Sequence, residues 1–114
     1  MIPFNIALLQ LKTSDTIENN LKISIEACKE AKSKGADLAL FPELWNIGYQ
    51  FDKVSPEFSI GIESNFVRAY QELAHELEMA IGLTLLLKGE KKPKDSLLLI
   101  DTKGDIILNY AKVH

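Results

Sequence analysis

The sequence is poor in the residues that staple, ligate or anchor. Its 114 residues hold one cysteine, one tryptophan and two histidines, and thirteen basic side chains stand against sixteen acidic ones. A lone thiol, Cys28, leaves no partner for an intramolecular disulfide, and no Cys/His spacing points to zinc. The expected setting is therefore a reducing cytoplasm, with no metal or other cofactor. Charges of both signs are mixed along the chain to a net of -3, which excludes the concentrated basic face of a nucleic-acid or anionic-membrane binder. Lys91, Lys92 and Lys94 cluster around Pro93 where a solvated turn is expected. Apolar runs are short. The longest, Ala80 to Leu87, falls far below membrane-spanning length, and the N-terminus lacks the pattern of a secretory signal.

What is present suits a globular chain. With 46% hydrophobic and 25% charged residues, the sequence fits one compact domain of ordinary composition. Phe4 to Leu11 reads as a first strand. A helix follows, with Asp15 and Glu18 in capping-box spacing and Ile17, Leu21, Ile25, Cys28 and Ala31 on one stripe, up to Gly35. Asp37 to Phe41 is a second strand halted by Pro42, which has no N–H for a ladder. Glu63 to Glu78 is a second helix whose stripe is Phe66, Tyr70, Leu73 and Leu77. Ala80 to Leu87 is a third strand, and Leu97 to Ile100 and Ile106 to about Val113 form a hairpin around Gly104.

The order β-α-β-α-β-β-β predicts an α/β layer with a mixed sheet. Strands apolar at consecutive positions are expected to be covered on both faces, yet right-handed crossovers would put the two helices on one face. Another chain or a continuation should cover the other. The sequence also stops at His114, directly after a strand, which we read as a truncation.

Two residues are candidates for chemistry. Glu43 follows a strand that ends in proline, where open α/β sheets bind ligands, although a loop glutamate is commonly only a solvated one. Lys112 shares a strand face with Ile106, Leu108 and Tyr110. Its ammonium would there be partly desolvated or paired with an acid, unless the strand frays and releases it to solvent. His75 lies off its helix stripe and His114 is terminal, so neither is assigned a role.

Phe41 to Tyr49 (FPELWNIGY) and Asp95 to His114 (DSLLLIDTKGDIILNYAKVH) closely resemble two signature regions of the carbon-nitrogen hydrolase superfamily of nitrilases and amidases. The opening FNIALLQL and the approach KGADLALFPE are similar to it as well, so the resemblance runs through essentially the whole chain. It implies a four-layer α-β-β-α sandwich, of which residues 1–114 would be a partial, N-terminal portion ending after the lysine motif. It also implies a Glu-Lys-Cys mechanism, with Glu43 as general base and Lys112 stabilising the oxyanion. The family's cysteine and its second functional glutamate follow the lysine and would both be missing here. Cys28 occupies a helix stripe and is expected to be a core residue.

Trp45 and Tyr49, in the segment after Glu43, are candidates for lining a substrate pocket, with ordinary loop anchoring equally open. Asp95 departs from the family, which commonly has Asn before the serine. The resemblance implies a small amide, carbamoyl or nitrile substrate, closer to the amidase branches, and a homo-oligomer. Set against it are an inactive fragment or pseudoenzyme that associates through its open face, and a nucleotide-binding α/β module. The latter is weakened because LKTSDT, and no glycine-rich phosphate loop, follows the first strand. We expect the purified 114-residue chain to release no ammonia from amides, since a thioester needs the nucleophile; thiol-dependent release would overturn this.

Overall fold

The structure is a computed structural model that describes residues 3–12, 16–42, 45 and 60–112, with only the backbone of Ile17. Within these residues the chain forms β1 (Ile6–Leu8), α1 (Ile17–Ser33), β2 (Leu38–Leu40), α2 (Asn65–Leu77), β3 (Ala80–Leu87), β4 (Lys94–Ile100) and β5 (Ile106–Ala111). The element order agrees with the sequence reading, and the hairpin forms. Boundaries differ at the ends. β1 and β2 are shorter than expected, and the α1 cap is Thr16 rather than Asp15, which lies outside the described residues. The Thr16 hydroxyl accepts from the N–H of Asn19, satisfying a donor that has no carbonyl within the helix. At the other end Gly35 takes φ +89°, the left-handed turn that stops the helix.

All five strands join one sheet in the order β1-β2-β3-β4-β5. The first three are parallel and the last three antiparallel. Each βαβ crossover advances one strand in the same direction, so a common handedness lands α1 and α2 on the same face. Beneath them lies a core of Ala39, Ile81, Leu83, Leu85, Leu98 and Ile100, all fully buried against Cys28, Val67, Tyr70 and Ala74. Side chains of this size stabilise by about 1.5–3 kcal/mol each when fully buried, so β3 is the strand around which the layer is organised.

Neither helix covers the opposite face. There Ile6 is 53% exposed and Leu8 71%, and at the far edge Leu108 and Tyr110 are also exposed. Two-sided apolar strands and one-sided cover coexist, as the sequence pattern implies.

The α1 stripe is rotated from its expected line. Fully buried positions run through Asn20, Ser24, Cys28 and Ala31, while Leu21 and Ile25 are only half-buried. Two polar residues thus occupy the deepest line, because the partner layer offers them hydrogen bonds.

The β4–β5 turn is set by Asp101, whose carboxylate accepts from the N–H groups of Lys103 and Asp105. Gly104, at φ +87°, is buried beneath α2, where the Gln71 amide donates to its carbonyl at 3.0 Å. A Cβ here would stand 2.6 Å from the Gln71 carbonyl oxygen. Gly104→Ala is expected to destabilise the fold by about 1–3 kcal/mol, through left-handed strain and this backbone clash, measured by urea unfolding. Cys28, with no exposed surface, has its thiol pushed up to about 12 by desolvation. In the native chain it should resist iodoacetamide at mildly alkaline pH and become alkylated in urea, as read by mass spectrometry.

Candidate active site

Lys112 follows β5, and its backbone remains in the ladder, where its N–H donates to the Asp95 carbonyl at 2.8 Å. This bond extends the β4–β5 register one pair beyond Ser96 and Ala111. Cross-strand partners share a face, so Leu86, Asp95 and Lys112 form one row. Thr84, Leu97 and Tyr110 form the next. Both rows lie on the face away from the helices. Within the first, the Lys112 ammonium is 4.0 Å from the Asp95 carboxylate, with side-chain exposures of 35% and 11%. The lysine is thus half-buried and held near an acid instead of fraying into solvent.

Glu43 and Tyr49 lie outside the described residues, but the residues that bracket Glu43 are placed. Pro42 is half-buried directly after Phe41, whose N–H donates to the Gly82 carbonyl at 3.0 Å. The Trp45 N–H donates to the Thr84 carbonyl at 2.8 Å, so Trp45 lies alongside β3. Farther along, Ile60 meets the end of β3 through bonds to Leu86 and Lys88. The two candidate regions therefore approach one sheet from β3 and from β5.

Trp45, for which pocket lining and loop anchoring were both open, lies inside the helix layer. It is fully buried, and its indole N–H donates to the Ser24 hydroxyl at 2.8 Å and the Tyr70 hydroxyl at 2.9 Å. Those hydroxyls are themselves bonded at 2.5 Å, and Ser24 also donates to the Asn20 carbonyl. Phe41 packs against both Trp45 and Tyr70, with ring centroids 5.5 and 5.4 Å away. The polar atoms are satisfied within this network, which gives the tryptophan the anchoring role. Burial raises the Tyr70 phenol well above its ordinary range, against the smaller lowering effect of its bonds to Ser24 and Trp45, so it stays protonated.

Sequence reasoning missed Ser24 and Asn20, although their spacing from Cys28 placed them on one helix face. It also noted Asp95 only as a departure. The signal for its pairing with Lys112 was the near symmetry of the two residues about the Gly104 turn. Among the described residues, no group of three or more His, Cys, Asp or Glu could hold a metal ion, and no helix is long and apolar enough to cross a membrane. An open groove along α1, lined by Leu11, Ile23 and Ala27 among others, belongs to the helix layer and not to the face bearing Lys112.

Residues 5–114 match the family described as carbon-nitrogen hydrolase. The chain is 27% identical over its whole length to the omega-amidase NIT2 of Bos taurus, of which it spans 41%. A solved structure of an amidase variant from Nesterenkonia sp. AN1, in complex with butyramide, superposes with a TM-score of 0.80 at 26% identity, over 97% of this chain and 43% of that one. The NitFhit protein of C. elegans, 22% identical, shares the fold with a TM-score of 0.81 over 96% of this chain and 27% of its own. With two helices on one face of a mixed sheet, a lysine closing β5 and this match along nearly its whole length, the chain belongs to the carbon-nitrogen hydrolase family.

Proposed function

We propose that residues 1–114 are the N-terminal part of an amidase that hydrolyses small linear amides or carbamoyl compounds, and that they carry two of its three catalytic groups. The observation that carries this reading is Lys112, held half-buried beside Asp95 on a sheet face that is otherwise largely apolar. There a fixed positive charge is screened less than in bulk water and can stabilise an oxyanion. The similarity to amidases along the whole chain supports the reaction class.

In this mechanism the carboxylate of Glu43 takes the proton of a cysteine thiol supplied from beyond His114, and the sulfur attacks the amide carbon. A C–S bond forms, and the carbonyl oxygen becomes an oxyanion facing the Lys112 ammonium. Collapse breaks the C–N bond, with the proton returned from Glu43 to the departing ammonia. Water, deprotonated by Glu43, then attacks the thioester carbon to release the acid and restore the thiol. Cys28 takes no part, being buried in the helix layer with its thiol protonated. Tyr49 remains a candidate for contacting the substrate. A cytoplasmic location suits the thiol, and a homo-oligomer would shelter the exposed apolar residues.

Those residues, Ile6, Leu8, Leu108 and Tyr110, also favour a second reading, an inactive fragment that associates through the open face. Expression of the complete reading frame containing residues 1–114 separates the two, with ammonia release from butyramide and formamide as the assay. The enzyme reading expects turnover, lowered roughly a thousandfold in kcat/KM by Lys112→Met or Glu43→Gln. Turnover at the parent rate by the Lys112→Met protein would eliminate the oxyanion role. A frame that ends at His114 and releases no ammonia supports the fragment.

A further inference from the structure

We infer that Trp45 is a positioning residue for Glu43, and that Ser24 and Tyr70 lock it in place. This rests on the base role proposed for the glutamate. The lock can be followed proton by proton. The Ser24 hydroxyl has a single proton, which it donates to the Asn20 carbonyl at 2.7 Å. The Tyr70 hydroxyl is therefore the donor in its bond to Ser24, and both hydroxyl oxygens accept from the indole N–H. All three protons are committed, in a chain that runs from Trp45 to the backbone of α1. Because the three side chains are fully buried, no water can replace a bond that is released, and the indole has one oriented seat.

Covalent geometry carries that hold toward position 43. Phe41 and Trp45 are each tied to β3 by a backbone N–H, to the Gly82 carbonyl at 3.0 Å and to the Thr84 carbonyl at 2.8 Å. Those acceptors are two residues apart, about 7 Å along a strand, whereas the four links from Phe41 to Trp45 can span about 13 Å. With that much slack, a tie at Phe41 alone would allow a residue two positions on to take many placements. A second tie, two positions beyond Glu43, removes most of them. Trp45 provides it, and its ring packs against that of Phe41 with centroids 5.5 Å apart, which holds the two ties together. A general base must stand within hydrogen-bond reach of the proton it takes, so a displacement of about 1 Å slows the chemistry while substrate binding is kept.

The test uses the complete protein of the ammonia assay, with each variant's fold checked by thermal unfolding. Trp45→Phe removes the indole N–H, and Ser24→Ala combined with Tyr70→Phe removes both of its acceptors while keeping the indole. Each change should lower kcat about tenfold or more, with KM altered less than about twofold. The deciding comparison repeats them in the Glu43→Gln protein, at enzyme concentrations that bring its residual turnover into range. A residue acting through Glu43 has little left to lose there, so the further loss should be less than about twofold. A residue that only supports the fold lowers both backgrounds by the same factor. Should Trp45→Phe not fold, Tyr70→Phe alone, which deletes one oxygen, carries the same comparison. Equal losses in the two backgrounds, or parent kcat in the protein lacking both acceptors, overturn the inference. Parent turnover by Glu43→Gln instead overturns the base role on which it stands.

Discussion

The indole N–H of Trp45 ties together parts of the chain that local preferences alone would leave independent. It reaches hydroxyls on both helices, Ser24 of α1 and Tyr70 of α2, while its own backbone N–H is fixed to β3 at Thr84. All three side chains are fully buried, so any polar atom released from the network would lose its partner where water cannot replace it. That penalty makes the arrangement close to all-or-none. It fixes the spacing of the helices over the sheet and the place of Trp45 beside β3. Glu43 stands between the proline and this anchor.

The same layer gives the two sheet faces different chemistry. Toward the helices, the core is closed by Ile81, Leu83, Leu85, Leu98 and Ile100, and Cys28 is sealed there with a thiol too basic to ionise at neutral pH. Away from them, apolar side chains remain exposed on β1 and β5, interrupted by the charges of Asp95 and Lys112. A charged pair at the rim of an apolar face is screened less than one on an ordinary surface. The thiol is thus sealed within the helix layer, and the Asp95 and Lys112 charges lie on the open side.

Much of the fold was legible because the strands declare themselves by consecutive apolar residues and the helices by their stripes. The β-α-β-α-β-β-β order and the one-sided helices follow from AIGLTLLL, LLLI and right-handed crossovers, and the turn at Gly104 from glycine chemistry. The helix cap was misplaced by one residue, since Asp15 and Thr16 are both suitable capping types and the choice depends on which oxygen meets the N–H of Asn19. The candidate site was half legible. Lys112 could be placed on a strand face by alternation, but whether its ammonium found solvent or an acid depended on a register that one residue's slip would reverse.

Alternation, helical periodicity and the breaking power of Pro42 and Gly35 are local properties, and through them the sequence by itself determined the elements, their order and the family resemblance. Tertiary structure alone decided the pairings. Trp45 looked as suited to a pocket wall as to an anchor until Ser24 and Tyr70, far from it in sequence, came within hydrogen-bond reach. Asp95 looked like a stray substitution until β4 and β5 closed on each other and set it across from Lys112. The reason is physical: a side chain's periodicity fixes the face on which it lies, whereas burial and charge depend on what another part of the chain brings to that face.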